Sequence, residues 1–367
     1  MTKVQGTVLE IDVNALQYNY NYFKSKLKVN TKIIAVIKAF GYGTDAFIIA
    51  NYLDKLGVDY FAVAYVEEGV SLRKQGIQTP IIVLHPQIVS FKACIQYKLE
   101  PNIYSQRILE AFIAVAKTEN QQEYPIHIKF NTGLNRLGFT KDVISSLIEE
   151  IMNTSALKIA SIFSHLVASE DLNEKEFSLQ QISTFKNITT QVLQQLPYQP
   201  MLHMLNTSGV LNYPEAQFDM VRIGIGLLGF ANDSKETEIL QNVVSLKSII
   251  SQIHTIGKGE TVGYNRAYTA EKTMRTATIP IGHADGIHRA LGNGLGSVKI
   301  QDKEAVIIGN VCMDMLLVDI TTIACKEGDE VILFNTQKMV NNLAQKSQTI
   351  SYEILTATSQ RVKRIVK

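Results

Sequence analysis

The stretch Thr31–Gly43, TKIIAVIKAFGYG, decides how the rest of the chain is read. Ile33, Ile34, Ala35, Val36 and Ile37 form a short, bounded apolar run rich in β-branched residues, the pattern of a strand buried on both faces. Lys38 follows at once, and after it a loop with Gly41, Tyr42 and Gly43. Desolvating an ammonium is costly, so a lysine at the tip of such a strand is rarely idle. Partial burial lowers its pKa and frees an amine suited to Schiff-base chemistry. The bland alternative is a side chain that snorkels past the sheet edge into water.

Runs of the same kind recur at Tyr60–Val63, Ile81–Leu84, Glu100–Tyr104, Ile126–Phe130, Ile159–His165, Met201–Leu205 and Met220–Ile223. Most are followed by a helical pattern. Upstream, Asp12 can cap a helix in which Val13, Leu16, Tyr20, Phe23 and Leu27 recur at three- and four-residue steps. Downstream, Asp45–Leu56 repeats the pattern and Gly57 stops it. Eight strand–helix units within about 190 residues predict α/β architecture, a parallel sheet closed as a (β/α)8 TIM-type barrel. An open doubly wound sheet is the runner-up, but no strand leads into the Gly-rich dinucleotide fingerprint.

Past Asn232 the texture changes. The tract Ala231–Thr237 is polar, and beyond it come short strand-like runs at Val243–His254, Val298–Ile300, Ala305–Ile308, Leu316–Ile320 and Val331–Phe334. They predict a C-terminal, mostly-β domain. Gly292–Gly296 leads into a strand and offers no helix N-terminus, so it reads as a hairpin turn and not as a phosphate loop. The expected division is a barrel over 11–238 and a β domain over 239–367, joined by residues 1–10.

A length of 367 residues suits two such domains. The net charge of +2 comes from 36 basic and 34 acidic residues spread along the chain, with no stripe that would suit nucleic acid. Cys94, Cys312 and Cys325 are widely spaced, which suggests a reducing compartment. The seven histidines show no ligand spacing, so no metal is expected. The start MTKVQGTVLEID lacks an apolar signal core, and no apolar run approaches ~18 residues. A soluble cytoplasmic protein, with no membrane partner, is expected.

Reactive groups of a parallel barrel sit at the C-terminal ends of its strands. Those ends carry Lys38, Lys129, His165, Asn206-Thr207-Ser208, and Arg222 followed by Gly224-Ile225-Gly226. The last two strands thus deliver hydroxyls and glycine N–H groups where barrels commonly bind phosphate. A phosphorylated cofactor that forms a Schiff base with lysine is pyridoxal 5′-phosphate. Singly, each residue has a plainer reading: His165 as a core histidine, Arg222 as an ion-pair partner, the glycines as loop punctuation.

Along its whole length the chain resembles the pyridoxal-phosphate-dependent alanine racemase family. Ala35–Ala39 with Tyr42-Gly43 is similar to the family's cofactor-lysine segment. Ile128-Lys129, Thr132-Gly133 and Arg136–Phe139 resemble the segment bearing its substrate arginine. Ser164-His165, Asn206-Thr207 and Phe218–Arg222 with Gly224-Ile225 resemble its barrel-top motifs. In the β domain Val262-Gly263-Tyr264, Ile281-Gly282, Ala284-Asp285-Gly286, Val311–Met315 and Ser351–Leu355 complete the series in order.

The resemblance implies an isomerase that interconverts L- and D-alanine and supplies D-alanine for peptidoglycan. Lys38 would hold the cofactor and act as base on one face of the substrate, with Tyr264 as base on the other. A phenol with a pKa near ~10 needs positive charge or hydrogen-bond donors nearby to serve at neutral pH, and His165 and Arg222 are the candidates. Arg222 would face the pyridine nitrogen and leave it unprotonated, because a guanidinium does not give up its proton. Tyr42, Thr207, Gly224, Ile225 and Tyr352 would hold the phosphate, with Asn206 nearby. Arg136 and the backbone at Met313 would take the substrate carboxylate, and Lys129 is a position for carbamylation. Tyr264 would come from the other subunit of a head-to-tail homodimer. Phe40-Gly41, Asn131, Ile223, Asn310, His283 and Ile287 depart from the family pattern, which leaves a racemase of broader specificity as an alternative. A basic-amino-acid decarboxylase of the same plan fits Arg222 and Tyr264 less well, and a non-catalytic carrier of the cofactor, which lacks the β domain, leaves Tyr264 and Met313 unexplained.

Overall fold

Asp12 turns the chain from strand to helix. Its Oδ1 accepts the N–H groups of Asn14 and Ala15 at 3.0 Å each, satisfying donors that the first helical turn leaves open. The strand before it is β1 (Val8–Ile11), and the helix after it spans Val13–Ser25. Leu16, Tyr20 and Phe23 are buried along one face of that helix, each contributing about 2–3 kcal/mol by leaving water. The computed structural model describes residues 5–231 and 234–367. Residues 1–4 of the N-terminal segment, and Asn232 and Asp233 of the polar tract, lie outside the described residues.

Each of the eight expected strands is present: β2 (Lys32–Val36), β3 (Tyr60–Val63), β4 (Ile81–Val83), β5 (Glu100–Ile103), β6 (Tyr124–Lys129), β7 (Leu157–Phe163), β8 (Met201–His203) and β9 (Met220–Ile223). Parallel pairing runs from β2 to β9, and β9 returns to β2 with Ile33 opposite Val221 and Ile34 opposite Arg222, so the sheet closes as a barrel. Continuous apolar stretches such as Ile81–Val83 are wholly buried because helices cover one face and the barrel interior the other. The interior also carries polar side chains, and it is their placement that makes the site.

The second unit is a nine-stranded sheet ordered β11-β14-β17-β16-β15-β18-β10-β1-β19. Its strands are β10 (Val244–Ile249), β11 (Gln252–Ile256), β12 (Thr261–Val262), β13 (Tyr268–Thr269), β14 (Met274–Ile279), β15 (Ser297–Ile300), β16 (Lys303–Ile308), β17 (Leu316–Asp319), β18 (Glu330–Phe334) and β19 (Lys363–Val366), with β12 and β13 as a separate ribbon. β1 lies between β10 and β19, with Leu9 opposite Leu246 on one side and Arg364 on the other. Residues 42–45 also belong to this unit: the Arg364 guanidinium donates to the carbonyls of Gly43 (2.8 Å) and Thr44 (2.7 Å).

Three local expectations are revised. Val243–His254 is two strands, broken where Ile250 donates to Asp329 and Ser251 to Thr278, so β10 pairs with β18 and β11 with β14. Gly292–Gly296 follows a 3-10 turn at Arg289–Leu291, so it is an entry loop to β15 and not a hairpin between two strands. Helices also occur, at Gln337–Lys346 and Ser351–Thr356, the first capped by Thr336 Oγ1 accepting from the Met339 N–H at 3.2 Å. All three cysteines are free. Among the described residues, no helix is long and apolar enough to cross a membrane.

Candidate active site

Lys38 lies two residues past the end of β2 and begins a left-handed turn. Ala39, Phe40, Gly41 and Tyr42 have φ of 53°, 55°, 65° and 56°, and Gly43 has 83°. Such a conformation costs L-residues roughly 1–2 kcal/mol each, so it persists only where neighbours fix it. Glu68 is the staple. One carboxylate oxygen accepts the Ala39 N–H at 2.6 Å, and the other accepts those of Ala64 (2.6 Å) and Tyr65 (3.0 Å) at the start of the helix Val66–Lys74. Burial lowers the Lys38 pKa, the Arg136 charge lowers it further, and Glu68 opposes the shift. The result is an amine closer to its nucleophilic form than an exposed lysine.

Arg222, on β9, is buried, and burial lowers its pKa to about 9, still a cation at neutral pH. It donates to Nδ1 of His203 (2.7 Å), Nδ1 of His165 (3.0 Å), and the carbonyls of Ser164 and Met204 (2.8 Å each). A guanidinium has no acceptor, so both histidines receive at Nδ1 and carry their proton on Nε2. Burial, then Arg222, holds His165 well below its ordinary pKa. His165 is therefore a neutral N–H donor, and of this pair the positive charge is on Arg222. Phe163 lies against two cations, with Arg222 Cζ 5.4 Å and Lys129 Nζ 5.7 Å from its ring centre, and it stacks on His203 at 4.7 Å.

Lys129, on β6, is buried, and its pKa falls to about 8 through desolvation and the charges of Arg222, Arg136 and Lys38. Four cations thus act on one another at one end of the barrel, an arrangement suited to anionic ligands. Arg136 itself is exposed, on a loop shaped by Asn131, whose Oδ1 accepts the N–H groups of Gly133 (3.1 Å) and Asn135 (3.0 Å). Asn131 serves that loop although an aspartate is usual there.

Asn206 caps the short helix Thr207–Asn212 by accepting from Gly209 at 2.9 Å, and it receives Ser169 Oγ at 2.8 Å. The Thr207 hydroxyl accepts long bonds from the N–H groups of Gly224 (3.3 Å) and Gly226 (3.4 Å), with Ile225 between them. A Cβ on Gly226 would sit 2.6 Å from the Phe23 ring and from Thr207 Cγ2, so only glycine brings that backbone so close. Weakly held N–H groups and a hydroxyl fit a phosphate, and a half-buried lysine of lowered pKa fits an aldehyde.

The β unit carries the remaining residues. Tyr42 and Tyr352 have ring centres 6.0 Å apart, and burial raises the Tyr42 phenol, which stays protonated. Tyr264 lies in a turn with Asn265 and Arg266 at positive φ, and it is 72% exposed. Asn310 donates to the Tyr264 carbonyl at 3.2 Å and so holds that turn. Met313, also exposed, is in a loop pinned by the N–H groups of His283 to Cys312 O (2.9 Å) and Ala284 to Met313 O (3.0 Å). Among the described residues no group of three or more His, Cys, Asp or Glu is placed to hold a metal.

A closed parallel barrel with a desolvated lysine just past its first strand and a glycine backbone just past its last, together with a second unit built on a β sheet, is the architecture of the barrel class of pyridoxal-phosphate enzymes. The comparisons agree. The family model for the alanine racemase N-terminal domain matches residues 11–232, and that for the C-terminal domain matches 243–366. The chain belongs to the alanine racemase family. It is 34% identical to the alanine racemase of Thermodesulfovibrio yellowstonii over 97% of this chain and 96% of that one. It is also 34% identical to an amino-acid racemase of Enterococcus faecalis, over 96% of this chain and 50% of the other. Among solved structures, the alanine racemase of Clostridium difficile 630 superposes with a TM-score of 0.93 at 30% identity, covering 100% of this chain and 97% of that one. That of Bartonella henselae, with covalently bound pyridoxal phosphate, gives 0.87 at 30% identity and covers 99% of both chains.

Sequence reasoning missed Glu68, His203, Ser161, His127 and Phe163. A period-two reading inward from Lys129 and His165 along β6 and β7 points to His127, Ser161 and Phe163. Glu68 had no such signal.

Proposed function

We propose that this protein racemises alanine by a two-base reaction, Lys38 working on one face of the substrate and Tyr264 on the other, and that it supplies D-alanine for peptidoglycan. The observation that carries the reading is Lys38 itself, an amine desolvated at the tip of β2 and held by a strained, stapled turn. Bound through Lys38, pyridoxal phosphate draws electron density from the substrate α-carbon and so acidifies its C–H. Thr207, Gly224 and Ile225 would hold its phosphate, and Tyr42 and Tyr352 are the further candidates. Arg136 and the Met313 backbone take the substrate carboxylate.

Arg222 would face the ring nitrogen and, because a guanidinium does not surrender its proton, would leave that nitrogen unprotonated, which favours racemisation over side reactions. His165, fixed as an Nε2–H donor by Arg222, offers Tyr264 a hydrogen bond that stabilises its phenolate. The exposure of Tyr264 and Met313 supports their serving a second copy of the chain, in a head-to-tail homodimer with two shared sites. The low pKa of Lys129 among cations supports its carbamylation, which would convert one of four positive charges into an anion that orients Arg136.

A wider substrate range is the second reading. It is favoured by His283, Ile287 and Asn310, which depart from the family pattern, and by the likeness to the Enterococcus faecalis amino-acid racemase. The test is racemisation of a panel of L-amino acids with Lys38→Ala and Tyr264→Phe as controls. Lys38→Ala loses the yellow colour of the bound cofactor and turnover together. Tyr264→Phe keeps the colour and loses about two to four orders of magnitude in turnover. Normal racemisation by Tyr264→Phe would show the second base to be misassigned.

A further inference from the structure

Arg222 meets four neutral acceptors, and behind one of them the polar contacts continue through the barrel. His203 Nε2 lies 3.0 Å from Ser161 Oγ, Ser161 Oγ lies 2.6 Å from His127 Nδ1, and His127 Nε2 lies 2.8 Å from Glu100 Oε2. Five consecutive strands each supply one member: Glu100 from β5, His127 from β6, Ser161 from β7, His203 from β8 and Arg222 from β9. His127, Ser161 and His203 are wholly buried, so water does not complete their hydrogen bonding.

Donor and acceptor chemistry permits one direction. Arg222 only donates, so His203 accepts at Nδ1 and its single proton, on Nε2, goes to Ser161. The Ser161 hydroxyl then donates to His127 Nδ1, and the His127 Nε2–H donates to the Glu100 carboxylate. Every hydrogen points from the cation to the anion. An imidazolium at His127 would turn Nδ1 into a donor and leave the Ser161 hydroxyl hydrogen between two donors.

We propose that Ser161, His127 and Glu100 are positioning residues for the reaction: their one-way file gives the buried His203 Nε2–H its acceptor, which holds in place the imidazole that receives Arg222, and it ends on the carboxylate that answers that buried charge. The inference rests on the reading of Arg222 as the partner of the cofactor ring. None of the three touches a reacting atom.

The test is NMR of the imidazole nitrogens in holoenzyme labelled with 15N-histidine, for the wild type, Ser161→Ala, Ser161→Thr and Glu100→Gln, with kcat and KM for each. In the wild type, His203 and His127 carry their proton on Nε2. Ser161→Ala leaves the His203 Nε2–H without its acceptor, so the His203 nitrogen signals shift, and kcat falls roughly ten- to a hundredfold at little-changed KM while the colour stays. Ser161→Thr, which keeps the hydroxyl, restores the His203 signals and most of kcat. A wild-type proton on Nδ1 of His203 or His127 overturns the file whatever the variants do. Unchanged His203 signals and kcat in Ser161→Ala overturn the positioning role. Should that variant not fold, Glu100→Gln is read instead: shifted His127 signals with lowered kcat are expected, and unchanged values overturn the proposal. A colourless wild type would strike the cofactor assignment alone, because the tautomers are read without it.

Discussion

Lys129 shows how one side chain's surroundings set its chemistry. Only a neutral amine attacks CO2, and a lysine of pKa about 8 is roughly one-tenth neutral at pH 7, several hundred times the fraction of an ordinary lysine. Below pH 8 that fraction drops about tenfold per unit, because the depressed pKa marks where the proton returns. Intact mass measured without acid is therefore expected to show one added CO2 at pH 8 and progressively less towards pH 6. No adduct at either pH would leave Lys129 as an unmodified cation. Lys38, His165 and Arg222 were legible as residues because each ends a barrel strand or follows one directly. The state of His165 was not legible, since it depends on Arg222, 57 positions away, donating to its Nδ1.

At the scale of an element, the turn after β2 is where local preference and global fold disagree. Gly41 and Gly43 signal positive φ in the sequence, but Ala39, Phe40 and Tyr42 adopt it too, and nothing in their side chains announces that. The staple comes from another helix. Glu68→Ala is expected to lower the melting temperature by a few degrees and turnover by about tenfold, since the Ala39, Ala64 and Tyr65 N–H groups lose their acceptor. Wild-type turnover in that variant would mean the turn holds itself. At Gly43 a Cβ would meet the Leu355 carbonyl at 2.1 Å in a backbone that L-residues avoid. Gly43→Ala is accordingly expected to cost on the order of 3 kcal/mol, seen as a loss of roughly 5–10 °C in the melting temperature. An unshifted melting curve would contradict the close approach.

The eight barrel strands were legible because buried parallel strands need unbroken apolar runs, which stand out without any tertiary knowledge. Their polar interior was not, because Glu100, His127, Ser161 and His203 gain meaning only once β5 to β8 are neighbours. In the β unit the short strands were visible as alternating runs. The break at Ile250 and Ser251 depends on Asp329 and Thr278, dozens of residues on, and the place of β1 between β10 and β19 on pairings hundreds of residues apart.

For the molecule as a whole, Lys38 belongs to the barrel unit, whereas Tyr264 is exposed on the β unit of the same chain. If a complete site joins Lys38 of one protomer to Tyr264 of its partner, two dead variants complement each other. Lys38→Ala and Tyr264→Phe dimers, each inactive, are unfolded or dissociated together and reassembled with cofactor at equal concentration. Half of the resulting dimers are mixed and each has one intact site of two, so about a quarter of wild-type activity should return. A mixture that stays as inactive as its parents, while size measurements show mixed dimers, would contradict the shared two-base site.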